Sequence, residues 1–211
     1  MISMNDAFKS RLRMALIGSI AAAIAIAASP AASRAQEAPP ADTYAVNYYS
    51  FNVPQVPSAA VRIINPTSLP KCAYLYVFDA SQNLQTCCSC PITSNGLLTL
   101  SVRQLTTNPS GAAAPVTGVI KLVSSSLPAG TTAPAGCNIS SAPIPTPALR
   151  AWATHVQISL PPQRIQLTED EFLDSPLDET ELETNLTGKC SAGIANKSVY
   201  VCGCGPTSTG G

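Results

Sequence analysis

Cys87, Cys88 and Cys90 stand nearly adjacent, and Cys202 and Cys204 form a second short cluster. With Cys72, Cys137 and Cys190 they make eight thiols in 211 residues, the even number that a complete set of bridges requires. Two chemistries suit such a set: cross-linking as disulfides, or thiolate ligation of a metal ion. Cys87-Cys88-Ser89-Cys90 together with Cys202-Gly203-Cys204 could gather four sulfurs around zinc. Structural zinc sites, however, usually use cysteine pairs spaced by about two to four residues, which Cys202-Gly203-Cys204 does not offer, and are commoner in chains that stay in the cytosol. A redox role is weaker still. Disulfides are therefore the expected state of all eight.

Eight thiols allow about 105 pairings, so the pattern is not readable directly. A hairpin geometry narrows it. If Phe78 opposes Leu84, Cys72 falls opposite Cys90, and a two-residue shift brings Cys88 there instead. Neighbouring Cys87 and Cys88 point to opposite faces of a strand and must serve different partners. Cys190 lies close enough in sequence to reach Cys202 or Cys204.

His155 is the sole histidine, so any Ser/His/Asp or Cys/His mechanism has to use it. Its strand is expected to bury Trp152, Thr154, Val156, Ile158 and Leu160, leaving His155, Gln157 and Ser159 facing water. That makes it a surface imidazole. Asp170, Asp174 and Asp178 recur every fourth residue and could line one helix face for a cation, but the Asp-x-Asp-x-Asp-Gly spacing of calcium loops is missing. Paired carboxylates can hydrolyse a glycosidic bond; on a solvated helix they read instead as a charged outer surface. Tyr44, Tyr48, Tyr49 and Phe51 could form a sugar-stacking platform or simply belong to the core. No nucleophile elbow, His-Glu-x-x-His helix or phosphate-cradling loop occurs. No catalytic, cofactor-binding or metal-binding residue is assigned.

The elements that must position these groups are mostly strands. Strands are expected at 43–53, 60–65 (stopped by Pro66), 72–78, 84–90, 97–103, 118–123, 151–160 and 199–204. Asp79 to Asn83 reads as a hairpin loop, and Asn95-Gly96 as a turn. Residues 124–149, rich in Ser, Pro, Ala and Gly, read as a long loop tied down by Cys137. The acidic segment 168–190 reads as helical, with Thr168 as N-cap and Glu171 completing a capping box. Ser175-Pro176 gives a second start and Gly188 an end. Phe172, Leu173, Leu177, Leu182 and Leu186 supply a modest apolar face. The expected architecture is mainly β: an antiparallel β-sandwich with a short acidic α-helical segment near the C-terminus, cross-linked by disulfides.

Residues 1–35 read as a signal peptide. Lys9, Arg11 and Arg13 precede an uncharged apolar run of about fifteen residues, too short to span a bilayer, and Ser33-Arg34-Ala35 offers a cleavage site before Gln36. A linker at 36–42, a single domain at 43–205 and a disordered tail at 206–211 complete the organisation. Four of the twelve basic residues lie in the leader, leaving eight against eleven acids, and eight of those acids fall between positions 169 and 183. This balance argues against nucleic-acid partners and against attraction to anionic lipid. No stable membrane insertion is expected once the leader is cleaved.

Tyr76-Val77-Phe78-Asp79, Cys87-Cys88-Ser89-Cys90, Arg150-Ala151-Trp152-Ala153-Thr154-His155 and Cys202-Gly203-Cys204-Gly205 resemble a group of small exported, Cys-rich bacterial proteins of unassigned function. The resemblance runs from about residue 60 to 205. It implies a periplasmic or extracellular location and carries no catalytic or binding residue with it. The expected function is a non-enzymatic structural or surface-interaction role in the envelope or outside the cell, with an envelope polysaccharide or a protein as partner. The rivals are a carbohydrate- or ligand-binding module, using the N-terminal aromatics or the loop around Cys137, and a secreted hydrolase, using His155 or the acidic segment.

Overall fold

The computed structural model describes residues 43–50, 59–106, 116–159 and 164–204. The expected leader, linker and tail, and Phe51, lie outside the described residues.

Period-two alternation of apolar side chains produces strands along most of the chain. In order they are β1 (Tyr44–Ser50), β2 (Ala60–Ile64), β3 (Lys71–Asp79), β4 (Leu84–Ile92) and β5 (Leu97–Ser101), then β6 (Thr117–Ser126) and β7 (Ile144–Pro145). β8 (Arg150–Ser159), β9 (Arg164–Glu171), β10 (Leu173–Asp174) and β11 (Tyr200–Val201) follow. A larger sheet is ordered β10-β1-β6-β3-β4-β11, with β7 beside β6; a smaller one is ordered β5-β2-β8-β9. The pairs are antiparallel except β11, which runs parallel to β4. Leu75, Val77, Ile120 and Leu122 of the larger sheet meet Val61, Ile63, Leu100, Ala151 and Ala153 of the smaller one in a single buried cluster. The expected sandwich is present.

The larger sheet is covered on its other face as well. Tyr74, Tyr76 and Phe78 of β3 point away from the sandwich and pack under a C-terminal helix and the loop around Cys137. That helix begins as a π-helix, Thr180–Gly188, and continues directly into α2 (Lys189–Ala195); a shorter α1 (Val102–Thr106) follows β5. Leu186 is the fully buried anchor of the cover, a burial that stabilises by roughly 1.5–3 kcal/mol.

Four disulfides link the described cysteines, and none is free: Cys72–Cys137, Cys87–Cys190, Cys88–Cys202 and Cys90–Cys204. The expected bridge from Cys72 to Cys88 or Cys90 is corrected by a β-bulge. Phe78 does oppose Leu84, but the register shifts at Val77/Phe78, so Cys72 opposes Pro91 and Ala73 opposes Cys90. One residue of slip moves a side chain to the other face. The slip lies on β4 and turns Cys88 and Cys90 to the inner face, while Cys72 stays with Tyr74, Tyr76 and Phe78 on the outer face and holds the loop at Cys137, as that loop's composition implied. Cys87 and Cys88 do serve opposite faces. Cys190, on the helix over the outer face, joins Cys87 rather than Cys202 or Cys204, which come in beside β11 on the inner face.

Other corrections concern the second half of the chain. Residues 97–103 are strand only to Ser101, because Val102 opens α1. The capping box at Thr168 and Glu171 starts no helix; those residues form the end of β9, paired along β8. Ser175-Pro176 lies in an extended stretch before the helix, which starts at Thr180. Gly188 sits inside the helix, where an added Cβ would come within 2.8 Å of the Glu183 carbonyl. The apolar face divides: Phe172 is buried in the sandwich, whereas Leu173 is exposed. Asp170, Asp174 and Asp178 share no helix face, since the first two belong to β9 and β10.

Candidate functional site

From Ala151 to His155 the faces of β8 are inverted relative to expectation, although Val156 is buried as expected, and this decides what the smaller sheet presents. Val61 and Ile63 of β2 bury inward, so Arg62 between them faces outward, and its cross-strand partner Trp152 must do the same. One row across the sheet reads Thr99, Arg62, Trp152, Glu171. Arg62 donates to the Thr154 hydroxyl at 3.1 Å and pairs with Glu169; Arg150 lies 3.6 Å from Glu171. Leu97, 61 % exposed, extends the face on β5. The charged side chains of this surface are 43–51 % exposed, and Trp152 is partly exposed among them. Its one tryptophan, two arginines and two glutamates form a flat, mixed-charge patch, and the partly exposed ion pairs contribute little to stability.

Inversion also buries His155. It is 1 % exposed, its ring stacks on Tyr48 at 3.9 Å, and neither ring nitrogen has a hydrogen-bond partner. The Asp170 carboxylate stands 3.5 Å from Nε2. Burial holds the imidazole's pKa below its ordinary value, with Asp170 pulling the other way. The expectation of a surface imidazole is thus overturned. No hydroxyl hydrogen-bonds the ring and every described thiol is in a bridge, so His155 is joined to no nucleophile among the described residues.

The aromatic platform expected in β1 is not assembled. Among its described residues, Tyr44 and Tyr49 are buried on opposite faces of β1, and only Tyr48 is exposed. Burial raises the Tyr44 and Tyr49 phenols far above their usual range and pushes Tyr76 up to about 12.

A third region had no signal in the linear pattern. A cavity of about 300 Å³ lies between the β3–β4 hairpin tip and the helix. Phe78 forms its floor, with the Lys121 and Lys189 ammoniums 4.7 and 5.7 Å from the ring centroid. Glu181 bonds Lys121, the Tyr44 hydroxyl at 2.9 Å and the Asn185 amide at 3.0 Å. Burial alone would raise the Glu181 pKa, but the hydrogen bonds from Lys121, Tyr44 and Asn185 outweigh it and bring the net shift below the usual range.

Comparison with protein-family models, curated proteins and solved structures gives no match. The functional reading therefore rests on these three regions alone. Among the described residues no helix is long and apolar enough to cross a membrane, and no group of His, Cys, Asp or Glu is placed to hold a metal ion.

Proposed function

We propose that the chain is an exported, disulfide-stabilised protein with a non-enzymatic surface-interaction role in the envelope or outside the cell, and that it makes contact through the outer face of its smaller sheet. The observation that carries this reading is an asymmetry. The larger sheet is covered on both faces, with bridges to both parts of its outer cover, while the smaller sheet leaves Trp152, Arg62, Arg150, Glu169 and Glu171 at the surface. Disulfides persist in oxidising compartments, which supports export. A partly exposed tryptophan flanked by arginines has the composition that dominates binding energy at interfaces.

The test has three readouts. Intact mass of the native protein should rise by eight hydrogens on reduction, matching four bridges. After gentle cell fractionation, wild type should accompany envelope material, and Trp152→Ser combined with Arg62→Ser should shift it to the released fraction at unchanged thermal stability. Free thiols in the native protein, equal partitioning of the variant, or turnover of a glycoside or ester lost on His155→Ala would each overturn the proposal.

A further inference from the structure

The cavity under the β3–β4 hairpin lies away from the open sheet face, and its chemistry points to a different ligand. Its charged groups are unequally committed. Asp79 accepts from the backbone of Ser81 and Asn83 at 2.9 Å each and from the Gln85 amide at 2.8 Å, so its carboxylate is consumed in shaping the hairpin tip. Glu181 is consumed by Lys121, Tyr44 and Asn185. Lys121 is in turn neutralised by Glu181.

Lys189 is left. No carboxylate among the described residues lies within ion-pair distance of it, and its ammonium is held beside the Phe78 ring, a cation–π contact that fixes the charge at the cavity. Two amides complete the set. Gln82 sits at the hairpin tip with a positive φ of 64°, a conformation few non-glycine residues adopt, and lines the cavity. Asn185 uses its amide nitrogen on Glu181, leaving its carbonyl oxygen for a donor.

The backbone beneath these groups is unusual too. Asn185 lies in the π-helical stretch and Lys189 at its junction with α2; π turns are rare and recur at functional sites. Cys190, the next residue, is bridged to Cys87 on β4, so the helix carrying Lys189 is pinned to the sheet that carries Phe78. The bridge holds the backbone that carries Lys189 in place beside the cavity.

We propose that this cavity binds a monoanionic, hydroxyl-rich small molecule of acidic-sugar type, its carboxylate on Lys189 and its hydroxyls on Gln82 and Asn185. With Lys121 and Glu181 neutralising each other, Lys189 faces one ligand charge and Asp79 leaves no surplus positive charge for a second, which favours a monoanion over the dianionic form of phosphate. Side-chain amides match hydroxyls, which both donate and accept. The volume is at the small end for ligand sites and suits a single ring. The inference stands apart from the open-face reading, so either can fail alone.

The test is titration of the oxidised full chain with D-glucuronate, D-glucose and inorganic phosphate, followed by calorimetry and by NMR shifts. Glucuronate should bind saturably, with weakening by salt, and glucose and phosphate should bind far less. Lys189→Gln should reduce glucuronate affinity by about tenfold or more, the loss expected of one charge-assisted hydrogen bond. Lys189→Arg should retain binding, and Gln82→Ala should weaken it without altering thermal unfolding. Absence of glucuronate binding, an unchanged affinity in Lys189→Gln, or phosphate binding as tightly as glucuronate would overturn the assignment.

Discussion

Removing the disulfides one at a time should rank them in the reverse of what their sequence separations imply. Cys88–Cys202 and Cys90–Cys204 each span 114 residues, Cys87–Cys190 spans 103 and Cys72–Cys137 only 65. Taken singly, the two longest would stabilise most, by about 4.8 kcal/mol in the chain-entropy model. Three of the bridges, however, join β4 to the C-terminal segment side by side and short-circuit one another in the unfolded chain. With Cys88–Cys202 intact, the loop restored by cutting Cys90–Cys204 runs only from Cys88 to Cys90, across the bond, and from Cys202 to Cys204. Such a loop, of about four residues, is worth about 2 kcal/mol, and the converse holds for cutting Cys88–Cys202. Cutting Cys87–Cys190 frees a loop of about thirteen residues, worth about 3 kcal/mol. Cys72–Cys137 has no shorter path through the other bonds and keeps its full contribution of about 4 kcal/mol. Paired Cys→Ala variants can be compared by urea unfolding, followed through the single tryptophan, Trp152. At a slope of about 2 kcal/mol per molar, the midpoint should fall by about 1 M without Cys90–Cys204 and about 2 M without Cys72–Cys137. Equal losses for those two variants, or a larger loss for Cys90–Cys204, would refute the ladder.

Because burial depresses the His155 pKa, the unfolded chain takes up a proton that the folded chain refuses as pH falls below about 6.5, so stability should decline there by at most about 1.4 kcal/mol per pH unit and be flat above. His155→Phe should flatten the acid limb in urea midpoints measured against pH; an unchanged limb would show the ring is not responsible. Gly118→Ala should destabilise by about 1–3 kcal/mol or more, since its Cβ would sit 1.9 Å from the Phe78 carbonyl and 2.7 Å from the Tyr49 hydroxyl; calorimetry reads this directly. Tyr44, Tyr49 and Tyr76 should remain protonated at a pH of about 11 and ionise only on unfolding, which an ultraviolet pH titration with and without urea resolves.

Local signals were legible where they acted alone. The β3–β4 hairpin, the Asn95-Gly96 turn and the tether at Cys137 follow from alternation, turn chemistry and loop composition within short windows. Errors arose where a distant partner overrides the local preference. Thr168 to Glu171 has every mark of a helix start, yet lies beside β8 and completes the smaller sheet. Trp152 looks like core by hydrophobicity, but β2 sets Arg62 outward and Trp152 must follow, which turns His155 inward. The bulge opposite Val77 and Phe78 has no residue signature and by itself turns Cys88 and Cys90 away from Cys72. The cavity around Lys189 joins groups from β3, β6 and the helix, far apart in sequence, so no spacing announced it.

The position of the bridges along the chain imposes an order on maturation. Cys87, Cys88 and Cys90 are made early and find their partners only at residues 190, 202 and 204. Until the last stretch of polypeptide arrives, β4 carries three reactive sulfurs with no correct mate, two of them adjacent and one two residues on. Correct oxidation of these three is therefore forced to come after emergence of the C-terminal end, and anything that shortens that end exposes a strand primed for cross-linking to a neighbouring molecule.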